Sequence, residues 1–250
     1  VTPPHGIHDI PENDPAWAIY RDKPWPLDAR KYAAMVNMVD RNVGEIRDLL
    51  RELGLQEKTI IFFSGDNGGA EYFRDAQHPR GFHGPNVNPL TGVEFRGGKG
   101  NLYEGGLRIP MIVCWPGKIK PGRVSDLLWY FPDVMPTLAE LAGATPPSDI
   151  DGISIVPELL GEDVVGRKQA QHEYLYWELS GQIAVRKGKW KAIRPGMGKS
   201  WELYDLANDV SETKDLSAEH PDILKELMAL AEKSHEPAVE GEFSQPELNQ

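Results

Sequence analysis

Several residues in this chain combine a reactive side chain with a setting suited to chemistry on a charged group. Asp66 and Asn67 lie side by side where an apolar run, residues 59–63, gives way to Ser64-Gly65-Asp66-Asn67-Gly68-Gly69. A carboxylate next to a carboxamide offers hard oxygen donors of the kind that bind calcium or magnesium. The pair falls at the carboxyl end of an expected strand, which is where ligands gather in open α/β sheets. The same residues also suit a plain turn, since Asn and Gly both tolerate positive φ. Lys99 stands among glycines in Arg96-Gly97-Gly98-Lys99-Gly100. Such a loop lets the backbone approach a bound group while the ammonium reaches it. Its spacing is not that of a P-loop, and a flexible surface loop is the competing reading. His5, between Pro3-Pro4 and Gly6, sits on a rigid turn that can aim an imidazole, or is simply an exposed loop histidine. His83 lies in a long loop, 70–96, of the length that is either functional or disordered.

The elements around these residues read as an α/β body with a small appendage. A strand at 59–63, β-branched and aromatic throughout, is expected to be buried. Before it, Tyr32, Val36, Val39, Val43, Ile46, Leu50 and Leu53 recur in steps of three and four, predicting a helix over 28–53. Asp28 is the expected N-cap and Gly54 the left-handed residue past the end. A second buried strand is expected over 109–115 and a helix over 131–144, with Pro136 in its first turn, where a missing N–H is tolerated. Short strand-like runs follow at 172–179, 182–186, 189–194 and 201–206, with a tight hairpin at Lys187-Gly188. A final helix is expected over 221–233. Domain 1–150 is thus the α/β body, 151–236 a small antiparallel α+β subdomain, and 237–250 a polar, acidic tail.

Composition narrows the classes. The 250 residues are 40% apolar and 26% charged, ordinary for a globular protein. No run approaches the roughly 18 apolar residues of a membrane span. A net charge of −11 argues against nucleic acid as a partner, because phosphate contacts need clustered Lys and Arg. A single cysteine, Cys114, excludes an internal disulfide framework.

Taken together, four segments resemble the sulfatase (arylsulfatase-like) family of the alkaline-phosphatase superfamily. They are Pro4-His5, FFSGDNGG with the helix before it, GGKGNLYEGGLRIPMIV, and AVRKGKWKAIR followed by WELYDLANDVSE. The resemblance covers nearly the whole chain. It implies an alkaline-phosphatase-like sheet covered by helices, with a small C-terminal antiparallel sheet plus helix. It also implies hydrolysis of a sulfate monoester of a sugar or aryl alcohol. Asp66 and Asn67 match the family's late pair of calcium ligands, with magnesium as the other hard cation that would suit them. Lys99 matches a lysine on the sulfate and its bridging oxygen, and His5 a histidine that also reaches the ester. Gly65 replaces the family's usual Ser. His83 has no secure counterpart and is either substrate-facing or exposed. Glu104 and Arg108 read as an internal ion pair that shapes the loop.

The family's nucleophile, a formylglycine made within C/S-x-P-S-R or C-x-A-x-R, has no counterpart here. Cys114-Trp115-Pro116-Gly117-Lys118 imitates it, but Gly and Lys replace Ser and Arg, and Cys114 lies in an apolar strand. The chain therefore reads as the later half of an active site, expected to be inactive alone. The nucleophile and the early acidic ligands would belong to an N-terminal portion of the same protein. Bacterial members are often exported, so the resemblance implies a periplasmic or secreted location. A phosphodiesterase or phosphatase of the same superfamily is the alternative enzyme. Those enzymes favour zinc and place His after this Asp, whereas the Asn67 carboxamide suits calcium. A non-catalytic fragment that kept the fold is the remaining alternative.

Overall fold

A computed structural model describes residues 9–70, 76–79, 81, 86–88 and 90–237. His5 and His83 lie outside the described residues. The chain divides into two compact units that alternate along the sequence.

In the first unit, helix α1, Pro15–Tyr20, begins at Asp14, whose carboxylate accepts the Ala16 N–H at 2.8 Å. Helix α2 spans Leu27–Glu52. It starts one residue earlier than the periodicity suggests, and its N-cap is Pro26, not Asp28. Asp28 sits instead in the first turn, where its charge meets the positive end of the helix dipole. The other end follows expectation. Gly54 takes φ +65°, its N–H reaches Arg51 O at 3.1 Å, and the Leu55 N–H reaches Leu50 O at 2.8 Å. These are the two bonds of a Schellman motif.

Strand β1, Ile61–Ser64, follows a short 3₁₀ turn. It pairs antiparallel with β2, Met111–Cys114, in the register Ile61↔Cys114 to Ser64↔Met111. Both strands are shorter than expected, and the expected burial is not found. Phe63 is 38% exposed and Ile112 62% exposed, because no further strand joins the pair among the described residues.

The second unit carries α3, Glu104–Leu107, a single helical turn within the expected loop. A 3₁₀ turn at Phe131–Asp133 leads into α4, Val134–Leu141, with Pro136 in its first turn as expected. Asp133 is fully buried and satisfied, accepting the Tyr130 and Ile153 N–H groups at 3.0 and 2.7 Å and lying 2.8 Å from His172 Nε2. Short helices α5, Val156–Leu160, and α6, Glu162–Val165, come next. Strands β3, Leu175–Leu179, β4, Gln182–Lys187, β5, Trp190–Arg194, and β6, Glu202–Asp205, then form an antiparallel meander in chain order. The hairpin near 187 turns through Gly188-Lys189, since Lys187 pairs with Trp190. Helix α7, Pro221–Ser234, closes the unit. No helix among the described residues is long and apolar enough to cross a membrane.

Period-2 alternation assigns this meander two different partners. Ile183, Val185, Ala192 and Leu203 point to one side and pack on Leu227 and Ala231 of α7. Ala184, Ile193 and Tyr204 point to the other, where they pack on Leu102 and Tyr103 just before α3. The second face is the one that meets the glycine-rich lysine loop.

Candidate active site

Two loops of the second unit hold the candidate residues. Residues 65–69 carry Asp66 and Asn67, and residues 96–108 carry Lys99. They touch backbone to backbone: the Gly68 N–H donates to Gly106 O at 2.9 Å, and the Lys99 N–H to Gly69 O at 3.0 Å. The Asn86 amide donates to both loops, reaching Gly69 O and Gly105 O at 3.0 Å each. Glycine is obligatory at this contact. A methyl group at Gly68 would overlap the Gly105 carbonyl oxygen, and one at Gly106 would overlap that of Asn101. Gly68→Ala should therefore separate the loops and destabilise the unit by about 1–3 kcal/mol, as overpacked sites do. Urea denaturation checks this, and an unchanged midpoint would show that the loops can part freely.

Asp66, Asn67 and Lys99 all have exposed side chains. Among the described residues, the Lys99 ammonium and the Asp66 carboxylate enter no hydrogen bond or ion pair. Two unengaged oxygen-bearing side chains on one loop, and an unengaged cation on the loop bonded to it, suit a hard metal and an anionic substrate. The donor set fits calcium as part of a site, because that ion takes about 6–8 oxygens and this pair supplies only some of them. No group of three or more His, Cys, Asp or Glu side chains among the described residues could hold a metal by itself. Cys114 is half-buried in β2 opposite Ile61, as befits a strand residue.

Behind the lysine loop lies a buried charge cluster that sequence reasoning mostly missed. The expected pair forms, with Arg108 Nε donating to Glu104 Oε2 at 2.6 Å. Lys191 of β5, fully buried, donates to Glu104 Oε1 at 2.8 Å. Its Nζ also forms an ion pair with Glu212 Oε1 at 2.8 Å. Glu212 Oε2 in turn accepts the Glu104 N–H at 2.7 Å, capping α3 from outside. At the loop's start, Arg96 stacks over Tyr103 at 3.9 Å and donates to Tyr204 Oη at 2.7 Å and Glu212 O at 3.2 Å. The one clue in the sequence was Lys191 itself, which shares a strand face with Ile193.

The two buried carboxylates respond oppositely to this environment. Burial alone would raise the Glu104 carboxyl, but Lys191 and Arg108 outweigh it and hold the group down at about 2, against an ordinary 4.5. Glu212 goes the other way, with burial pushing its carboxyl up more strongly than Lys191 pulls it down. Because the folded state lowers the Glu104 value, its stabilising contribution is complete above pH 4.5 and is lost as pH falls toward 2. Glu212 has the opposite slope, its ionisation disfavouring the fold as pH rises. The melting temperature of the wild type should therefore approach that of Glu104→Gln between pH 4.5 and 2. Circular dichroism tests this, and a gap that stays constant down to pH 2 contradicts it.

The exposed acid–amide pair and the lysine thus sit on touching glycine loops beside the meander. The family model "Sulfatase" matches residues 4–144, and "N-sulphoglucosamine sulphohydrolase, C-terminal" matches residues 98–236. The chain belongs to the sulfatase family. It is 33% identical over 215 residues to an N-acetylgalactosamine-6-O-sulfatase of Bacteroides thetaiotaomicron, covering 79% of this chain and 40% of that protein. Among solved structures, Ps i-CgsB matches with a TM-score of 0.66 at 27% identity, over 88% of this chain and 46% of that one. A structure of BT4656 with its substrate, D-glucosamine-2-N,6-O-disulfate, matches with a TM-score of 0.61 at 28% identity, over 87% and 44%. The chain spans less than half the length of the curated relatives it matches, 41% and 40% for two of them.

Proposed function

We propose that this chain is the later part of a sulfuric ester hydrolase that cleaves a sulfate monoester of a sugar or aryl alcohol with calcium and a formylglycine encoded outside it. The observation that carries the reading is Asn67 beside Asp66 on a loop bonded directly to the lysine loop. Asp66 and Asn67 would hold calcium together with oxygens from elsewhere in the protein. The bound ion would supply Lewis-acid polarisation of a sulfate oxygen. Lys99 supplies a compact charge that strengthens its hold as negative charge moves onto the sulfate and bridging oxygens. His5 donates a proton to the departing alkoxide, imidazole being the side chain that changes charge nearest neutral pH. His83 is the further candidate for a substrate contact. Relatives named for an N-acetylgalactosamine sulfate and crystallised with a sulfated glucosamine favour a sugar over an aryl alcohol.

The test is to assay the full-length gene product, calcium-loaded, with matched aryl sulfate and aryl phosphate and then with sulfated amino sugars. Turnover of sulfate at least tenfold faster than phosphate is expected. A preference for phosphate would replace this reading with a phosphatase or phosphodiesterase of the same superfamily. Absence of turnover on every ester would make the protein a non-catalytic relative.

A further inference from the structure

We infer that Gln182 is a positioning residue for Lys99, clamping the turn that carries it; the inference rests on Lys99 being the sulfate-contacting group. Gln182 opens β4, some eighty residues further along the chain, on the strand face that packs against Leu102 and Tyr103. Its Oε1 accepts the Leu102 N–H at 3.2 Å and its Nε2 donates to Gly100 O at 3.0 Å. Those partners settle which way round the amide lies, since an N–H can only donate and a carbonyl can only accept. One side chain thus bridges the backbone on both sides of Asn101, whose own N–H closes the turn on Gly98 O at 3.2 Å. Lys99 and Gly100 are the two central residues of that turn.

The loop needs an outside restraint. Gly97, Gly98 and Gly100 flank Lys99, and Gly100 adopts φ +94°. Glycine leaves such a segment many conformations to lose, so the sequence alone holds the lysine loosely. The Lys99 ammonium has no partner among the described residues that would orient it. Its place is set through the backbone alone, by the bond to Gly69 on one side and by the Gln182 amide on the other. Gln182 is half-buried, unlike the fully buried Lys191 and Glu212; its bond to Gly100 O is exposed and its bond to the Leu102 N–H partly buried, so removing the amide costs the fold at most one partly buried hydrogen bond. It acts on the precision of the loop and little on the stability of the fold. Misplacement of a catalytic group by about 1 Å can lower turnover about a hundredfold.

The experiment uses Gln182→Met, close in shape and without the amide, and Gln182→Glu, which keeps the acceptor for Leu102 but sets a carboxylate against Gly100 O. In the full-length enzyme, kcat on a sulfate ester should fall roughly ten- to a hundredfold in both variants while KM changes less, with the melting temperature nearly unchanged. In a Lys99→Ala background, Gln182→Met should change kcat less than about twofold, because an effect routed through Lys99 disappears with it. Equal losses in both backgrounds, or none in either, overturn the inference. A second readout does not depend on the reaction. In the 250-residue chain, NMR-detected amide exchange at Leu102 and at Lys99 should both accelerate in Gln182→Met. Acceleration at Leu102 with Lys99 unchanged also overturns the inference. If the wild type prefers phosphate, the sulfatase reading falls and the exchange result alone decides whether Gln182 positions Lys99.

Discussion

Lys99→Ala is expected to lower kcat/KM for a sulfate monoester by about 10²–10³-fold, as the loss of one aligned donor to a developing oxyanion does. The reason is that charge shifts onto the sulfate and bridging oxygens as the bond to sulfur breaks, so a fixed cation there holds the transition state more tightly than the ester. Lys99 is exposed and enters no ion pair among the described residues, so stability should change by no more than about 0.5 kcal/mol. Lys99→Arg should restore only part of the activity, because a planar guanidinium cannot occupy the place of a compact ammonium. Steady-state kinetics with a melting curve on each variant separates the two effects. Full activity in Lys99→Ala would remove this residue from the site.

Lys191→Met should destabilise the second unit by about 3–5 kcal/mol, the penalty for leaving buried charges uncompensated. Both carboxylates that face the lysine, Glu104 and Glu212, are buried, and neither can turn to water without unpacking α3 from the sheet. Glu104 retains Arg108 at 2.6 Å, whereas Glu212 loses its ammonium outright, so Glu212→Gln added to Lys191→Met should recover part of the loss. Urea denaturation followed by the tryptophans of the meander gives the numbers. A loss of less than about 1 kcal/mol would mean that the cluster stays hydrated, since exposed ion pairs are worth no more than that.

Much of the architecture was legible from local chemistry. Helix α2 announces itself through apolar spacing and through Gly54, because a Schellman end needs a left-handed residue and Gly adopts one without strain. The four strands of the meander and α7 follow from period and turn residues that act within a few positions of one another. The helix start was misplaced by one residue, since Pro26, with its locked φ, caps where Asp28 has the more usual capping chemistry. Burial of β1 was misjudged for a different reason. An apolar strand reports what it can bury against, and only the neighbouring strands determine whether it does so; among the described residues β1 has β2 alone.

The candidate site divides along the same line. Which residues could do chemistry, Asp66, Asn67 and Lys99 among them, was readable from residue type and immediate glycine context, because donor chemistry belongs to the side chain itself. That the acid–amide loop and the lysine loop share backbone hydrogen bonds through Gly68, Gly106 and Gly69 was not readable, since those atoms are common to every residue. Nor was the role of the meander, which looked like an appendage. Its strands send Gln182, Lys191 and Tyr204 to the loop that carries Lys99. Contacts across some eighty to a hundred residues depend on which strand face turns toward which loop, and only tertiary packing sets that.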